Sequence, residues 1–245
     1  MGDVHANLPA LEAVLSHAQI QVVEDIWNIG DFVGYGAFPD QVVKRIRKKK
    51  IVSIIGNYDL KVLNFPKKDK KWRVNKHHLK WLAFKWAYEN LSAKSRKYLS
   101  SLPNERRLTI GDFSFSLVHG SPASNEELLL PDTPEERLLE LSQLVQENHG
   151  LQVSAIICGH SHQAFTRQVE NTTFVNTGSV GRPDDGDPRA AYAILEVRGD
   201  GYRITHYRLE YDVGVAVTAI REKNLPEEFA QMLIQGRDLE TIINS

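Results

Sequence analysis

The 245-residue chain has a single cysteine, Cys158, so no disulfide can form within it and no cluster of thiolates can hold zinc. It also has no surplus of charge. Thirty Lys and Arg stand against 31 Asp and Glu, a formal net charge of -1, which removes the global polycation that grips nucleic acid. No apolar run approaches the roughly 18 to 20 residues that a membrane span needs. The first residues, Met1-Gly2-Asp3-Val4-His5-Ala6, carry neither the basic nor the apolar part of a secretory signal. Flexible linkers and internal repeats are absent as well. What is there is 42% hydrophobic and 25% charged, the composition of a globular chain. One domain over residues 1–245 is expected, in the cytoplasm, with no membrane or nucleic-acid partner.

Helical and strand-like segments alternate along the chain. After Asn7, a residue suited to cap a helix, Leu11, Val14, Leu15 and Ala18 recur on one face. Residues 25–29 then read as a short buried strand ending at Gly30-Asp31. The pattern repeats with a helix over 39–49 and an apolar strand over 51–55 that ends at Gly56-Asn57. The fold class is therefore α/β. Residues from about 64 to 102 break the rhythm with a Lys-rich stretch and a helical pattern carrying Leu79, Leu82, Phe84 and Leu91, and they read as a helical insertion. Gly111-Asp112 joins two strand-like runs, 106–110 and 113–118, in a hairpin whose second strand ends at His119-Gly120. An amphipathic helix over 134–148 leads to an apolar strand over 153–158, which stops at Gly159-His160. Short strands follow from residue 164, then helices near 213–222 and 226–234.

Residues able to bind metal recur directly after these strands: Asp3 and His5, Asp31, Asn57, His119, and His160 with His162. Loops at the carboxyl ends of strands in an α/β sheet converge on one edge, so residues distant in sequence can meet there. Each motif alone is common. In the set of five, each ends a strand and none uses Cys or Lys. Imidazole with carboxylate or amide oxygen suits Mn, Fe, Ni or Zn, with Mn the first choice, whereas Mg or Ca would not need four histidines.

The order Asp-x-His, Gly-Asp, Gly-Asn, His, Gly-His-x-His resembles the calcineurin-like metallophosphoesterase superfamily. The surroundings resemble it too, namely Gly30-Asp31-Phe32-Val33-Gly34, Leu117-Val118-His119-Gly120-Ser121 and Asn176-Thr177-Gly178-Ser179 through Arg182-Pro183. They look like its bacterial and archaeal branch, related to diadenosine-tetraphosphatase and Ser/Thr phosphatase domains. The resemblance implies a four-layer αββα sandwich and two divalent transition-metal ions. Asp3, His5, Asp31 and His162 would hold the first ion, and Asp31, Asn57, His119 and His160 the second. It implies hydrolysis of phosphomono- or phosphodiesters, nucleotides included, by a metal-activated water, with Asp31, Asn57, Tyr58 and His119 in catalytic positions. Arg182 reads as a substrate-binding cation, and backbone N–H groups of 178–181 are a second candidate for phosphate. Glu24, Asp25 and Asp59 are candidates to orient the ligands.

Two departures from the family pattern stand out. Its third motif reads Gly-Asn-His before an acid, the histidine serving the leaving group, and here Tyr58 takes that place. A phenol is poorly matched to proton transfer at neutral pH, so weakened turnover is expected, and a scaffold that binds protein partners is the alternative. The family also places a full strand ahead of Asp-x-His, where here only Met1 and Gly2 precede Asp3. Either that strand lies upstream, or the sheet carries a gap that leaves Asp3 and His5 loosely anchored. Between residues 61 and 80 eight Lys and Arg face one Asp. This is read as a solvated face, or as a rim that steers anionic esters, with His77 and His78 as exposed helix histidines. Residues 184–187 read as a surface turn.

Overall fold

The structure, a computed structural model, describes residues 1–150 and 152–244. The first helix forms where the apolar spacing places it. Asn7 Oδ1 accepts the Ala10 N–H, and α1 (Leu8–Ile20) buries Leu11, Val14, Leu15 and Ala18. Then come β1 (Trp27–Asn28), α2 (Pro39–Lys48) and β2 (Val52–Ser53). The insertion is helical throughout, as α3 (Asn57–Leu63), α4 (Phe65–Asn75), α5 (His78–Glu89) and α6 (Ala93–Ser100), and it begins at the Asn57 motif itself. The hairpin β3 (Glu105–Ile110) and β4 (Phe113–Val118) turns at Gly111, whose φ of 56° suits a residue without Cβ. After α7 (Glu135–His149) come β5 (Ala155–Cys158), β6 (Phe165–Val169), β7 (Thr172–Asn176), β8 (Ala190–Arg198) and β9 (Gly201–Leu209). The chain closes with α8 (Val213–Glu222), α9 (Glu227–Gln235) and α10 (Leu239–Asn244). The last helix has no counterpart in the sequence reading. Among the described residues no helix is long and apolar enough to cross a membrane.

Four layers result. One sheet runs β3-β4-β5-β7-β6, and its inner face packs Phe115, Leu117, Ile157 and Val175 against Ile29 and Ile54 of the other. Its outer face carries α7, with Leu138, Leu141 and Val145 against Ile156 and Phe174. The β1-β2 pair is parallel, and α1, α2 and the insertion cover its outer side. Each fully buried Leu, Ile or Phe in these layers contributes about 1.5 to 3 kcal/mol through its removal from water.

The strands near the chain start are shorter than their apolar runs, because their neighbours are. Met1 and Asp3 lie alongside β1. The Met1 amine donates to Trp27 O, Ile29 N–H to Met1 O and Asp3 N–H to Gly30 O, each at 3.0 Å. On the opposite side Val180 and Gly181 donate to Gly2 O and Asp3 O at 3.0 Å, and Ala191 N–H to Ser179 O brings in the β8-β9 hairpin. A cavity of about 440 Å³ opens between residues 21–27 and β8, walled by Val14, Ala18, Trp27, Ile194 and Val197. Asp3 and His5 are firmly anchored. His5 N–H donates to Asp31 O at 3.0 Å, and Ser179 Oγ donates to Asp3 O at 2.8 Å.

Candidate metal centre

The loops that leave β1, β2, β4 and β5 do converge, and they bring the backbone into unusual conformations to do it. Asp3, His5, Asp31, His160 and His162 all have positive φ, between 46° and 64°. L-residues avoid this region at about 1 to 3 kcal/mol each, and such strain persists where the surroundings over-determine it. Here they do. Gly30 and Gly56 stand back to back, with an imagined Gly30 Cβ only 2.5 Å from Gly56 N. Asp59 accepts N–H groups of Phe32, Val33 and Gly56 at 2.9, 3.2 and 3.0 Å, tying the second motif to the third. Asn176 Nδ2 donates to Gly159 O and Ser161 Oγ, which fixes the Gly-His-Ser-His loop.

Asp31 lies at the middle of the resulting cluster. Its Oδ1 accepts the Tyr58 N–H at 2.8 Å, and its Oδ2 lies 3.6 Å from His5 Nε2 and 3.5 Å from His119 Nε2. His119 Nδ1–H donates to Ile29 O at 2.8 Å, which turns Nε2 toward Asp31 and to within 3.1 Å of Asn57 Oδ1. His162 Nε2 faces His5 Nε2 and Asp3 Oδ1, both at 3.3 Å. Ligand atoms of Asp3, His5 and His162 gather within 4.8 Å of one another, and so do those of Asp3, Asp31 and His119. His160 stands at the rim, half-buried, with its ring 5.1 Å from that of His119 and its N–H on Asp3 Oδ2. Asp3 Oδ1 is buried with His162 Nε2 3.3 Å away, and the Nε2 atoms of His5 and His162 confront each other beside it. Two buried carboxylates and three imidazoles so arranged fit a divalent cation.

The electrostatics agree. Burial opposes charge on His119, yet Asp31 beside it, with Asp3 and the Ile29 carbonyl, pushes it up to about 9. Burial and the Arg182 guanidinium oppose charge on His162, yet Asp3 and Asp184 bring it to about 9. Against the cost of burial, these histidines hold the Asp3 and Asp31 carboxyls below the ordinary carboxylate range. His5 goes the other way, well below an ordinary histidine, through burial and then Arg182 and His162. Metal-free, His119 and His162 are thus protonated at neutral pH, and a cation must displace those protons. Uptake should strengthen about tenfold per pH unit for each proton displaced, up to about pH 9, and weaken toward acid. Calorimetric titration in two buffers of different ionisation enthalpy should show the protons leaving; uptake that is flat with pH would contradict this.

Around this centre several expectations change. Glu24 and Asp25 are exposed and border the cavity below Met1, so they orient no ligand. The backbone of 178–182 faces inward. Gly178 N–H donates to Asn176 Oδ1, Val180 and Gly181 to Gly2 O and Asp3 O, and Arg182 to Ser179 Oγ, so these N–H groups are engaged within the chain and the Arg182 side chain is the stronger candidate for an anion. That side chain lies over the Tyr35 ring at 5.1 Å and the Tyr58 ring at 5.9 Å, and Tyr35 and Tyr58 share a hydroxyl hydrogen bond of 2.9 Å. Burial, and then Tyr35, raise Tyr58 well above an ordinary tyrosine, so it stays a neutral donor. His77 caps α5 and His78 stacks on Trp81, and both are exposed. Two acids missed by the sequence reading reach the ligands. Glu126 accepts from Asn57 Nδ2 at 3.1 Å and Lys61 Nζ at 2.9 Å, and Asp184, read as part of a surface turn, lies 3.3 Å from His162 Nδ1. No local motif marks either one. Only the convergence of the loops reveals them.

The sequence profile of the calcineurin-like phosphoesterase superfamily domain matches residues 1–200. An uncharacterized protein of Methanocaldococcus jannaschii is 31% identical over 254 aligned residues, with 97% of each chain covered. The crystal structure of a metallophosphoesterase from Sphaerobacter thermophilus is 32% identical, with a TM-score of 0.74 over 96% of this chain and 98% of that one. A hypothetical protein from Pyrococcus horikoshii shares the fold at a TM-score of 0.84, with 23% identity and 96% of each chain covered.

Proposed function

Because the chain belongs to the calcineurin-like phosphoesterase superfamily, we propose that it hydrolyses phosphomono- or phosphodiesters, nucleotides among them, at a centre of two divalent transition-metal ions, Mn first among them. The observation that carries this reading is Asp31 Oδ2, a single buried oxygen that lies within 3.6 Å of both His5 Nε2 and His119 Nε2. Asp3, His5, Asp31 and His162 would hold one ion, and Asp31, Asn57, His119 and His160 the other. When bound, such a pair supplies Lewis acidity toward the phosphoryl oxygens and an activated water.

The chain's own groups supply the rest. Arg182, fixed over two phenol rings, offers guanidinium N–H groups to a phosphoryl oxygen. Asn57 is held from behind by Glu126, itself paired with Lys61. Tyr58 can hydrogen-bond the leaving oxygen but transfers its proton poorly, so esters with acidic leaving groups are the better substrates. Lys61 on Glu126 and Lys76 over the Phe84 ring that packs on Tyr58 would draw anions toward this rim.

The test is Mn-stimulated cleavage of p-nitrophenyl phosphate and its bis ester, with metal content measured alongside. A second reading, a metal-binding scaffold for protein partners, is favoured by Tyr58, and it prevails if metal binds and no ester in a broad panel is cleaved. Tyr58→His separates the two further. It should raise turnover of esters with poor leaving groups by up to about 10² to 10⁴-fold, the range of general acid catalysis, and leave p-nitrophenyl esters nearly unchanged. Equal rates on both classes would mean that proton donation does not limit this site.

A further inference from the structure

We propose that Asp184 is a positioning residue that decides which nitrogen of His162 is left bare toward the metal centre, in competition with Arg182; the inference rests on the metal-centre reading above. His162 Nδ1 has two neighbours at one distance, Asp184 Oδ2 and Arg182 Nη2, each at 3.3 Å. A carboxylate only accepts and a guanidinium only donates, so the two demand opposite tautomers. Opposite Asp184 a proton is kept on Nδ1, so once a cation displaces the other proton Nε2 presents its lone pair toward Asp3 and His5. Opposite Arg182 it is Nδ1 that accepts. The proton then sits on Nε2, directed at Asp3 Oδ1 3.3 Å away, and the ligand position is closed.

The surroundings favour Asp184. Arg182 is held over the rings of Tyr35 and Tyr58 and itself approaches Asp184 Oδ2 at 3.7 Å, so the carboxylate draws both neighbours to one oxygen. The His162 side chain is 2% exposed and that of Asp184 18%, which leaves little room for water to replace the carboxylate behind the ring. An outer carboxylate of this kind sets the tautomer of a ligating histidine and raises its basicity. Here a cation also stands ready to impose the opposite choice as soon as the acid is gone.

The experiment is a double-mutant cycle on Mn²⁺ affinity, measured by calorimetric titration of metal-stripped protein with melting temperatures as the check on folding. Asp184→Ala should weaken the affinity by about 10 to 100-fold, the usual cost of losing such a partner. Asp184→Asn keeps a neutral acceptor and should fall between. Asp185→Asn, whose carboxylate pairs with Arg208, should bind like the wild type. Adding Arg182→Ala to Asp184→Ala should restore most of the loss. Arg182→Ala alone should change affinity far less, because in the presence of Asp184 the tautomer is already set. Asp184→Ala within twofold of wild type overturns the proposal. So does Arg182→Ala acting by the same factor in both backgrounds, which would be plain charge repulsion. If the alanine variant does not fold, the same cycle with Asp184→Asn carries the same test of sign. A wild-type chain that takes up no Mn²⁺ would overturn the metal-centre reading instead.

Discussion

Asp31→Asn should lower metal-stimulated phosphoester cleavage by about 10³-fold or more and leave the fold standing. A metal pair contributes several kcal/mol to such a reaction, and about 4 kcal/mol corresponds to roughly 10³ in rate. The substitution keeps an oxygen for the Tyr58 N–H, now bound by Asp31 Oδ1 at 2.8 Å, so the loop between the second and third motifs keeps its anchor. It removes the other oxygen. An amide nitrogen would then stand about where Oδ2 faces His5 and His119, and an N–H₂ group can bridge no cations. The loss should therefore be double, in turnover and in bound metal, since both ligand groups share that atom. The measurement is kcat/KM on p-nitrophenyl phosphate together with metal content by elemental analysis. A variant with full metal content and activity within tenfold of wild type would remove Asp31 from the centre of the site.

The layers and the residues that meet at the candidate site were legible in the sequence because both rest on local signals. Apolar periodicity marked α1 and α7, and each candidate ligand from Asp31 onward follows an apolar strand run, a position that topology alone brings to one edge. The residues behind the ligands were not legible. Asp184 and Glu126 sit in polar loops with ordinary turn composition, and nothing in the spacing tells an acid that faces solvent from one that faces His162 or Asn57. Glu24 and Asp25 misled for the same reason. They flank β1 at the end away from the site, and sequence adjacency to a strand does not say which end of it a side chain serves. The strands around the chain start came out short because a strand is defined by its neighbours. Ile29 lies just past β1, and its N–H pairs with Met1 O rather than with a long ladder. The two nine-residue strands of the β8-β9 hairpin were read only as short strands because many of their positions are half-buried and mix polar with apolar residues.

Gly56→Ala should be among the most damaging single-methyl changes in the chain. A Cβ there would lie 2.1 Å from Asp31 Oδ1, 2.2 Å from Asp31 N and 2.9 Å from Asp31 Cγ, and none of these atoms can yield without moving the centre of the cluster. Side-chain rotation offers no escape, since Asp31 N is backbone and Oδ1 is already bound by Tyr58 N–H. The Gly56 N–H is itself tied to Asp59 Oδ2 at 3.0 Å, which prevents the third-motif loop from backing away. Overpacking of this kind costs typically about 1 to 3 kcal/mol and occasionally more, and two rigid contacts near 2 Å put this site at the upper end. At about 2 to 4 °C per kcal/mol for a chain of this size, the melting temperature should fall by roughly 6 to 12 °C. Gly201→Ala is the control. Its φ is not positive and nothing lies within 4 Å of the added methyl, so it should melt with the wild type. Because the clash pushes Asp31 and Asn57 apart, Gly56→Ala should also lose metal affinity below its new melting point, where the protein is still folded. Scanning calorimetry with and without Mn²⁺ reads both effects at once. A wild-type melting temperature in the variant would mean that Gly56 and Asp31 are not in contact, and the bridge between the two halves of the site would fail with it.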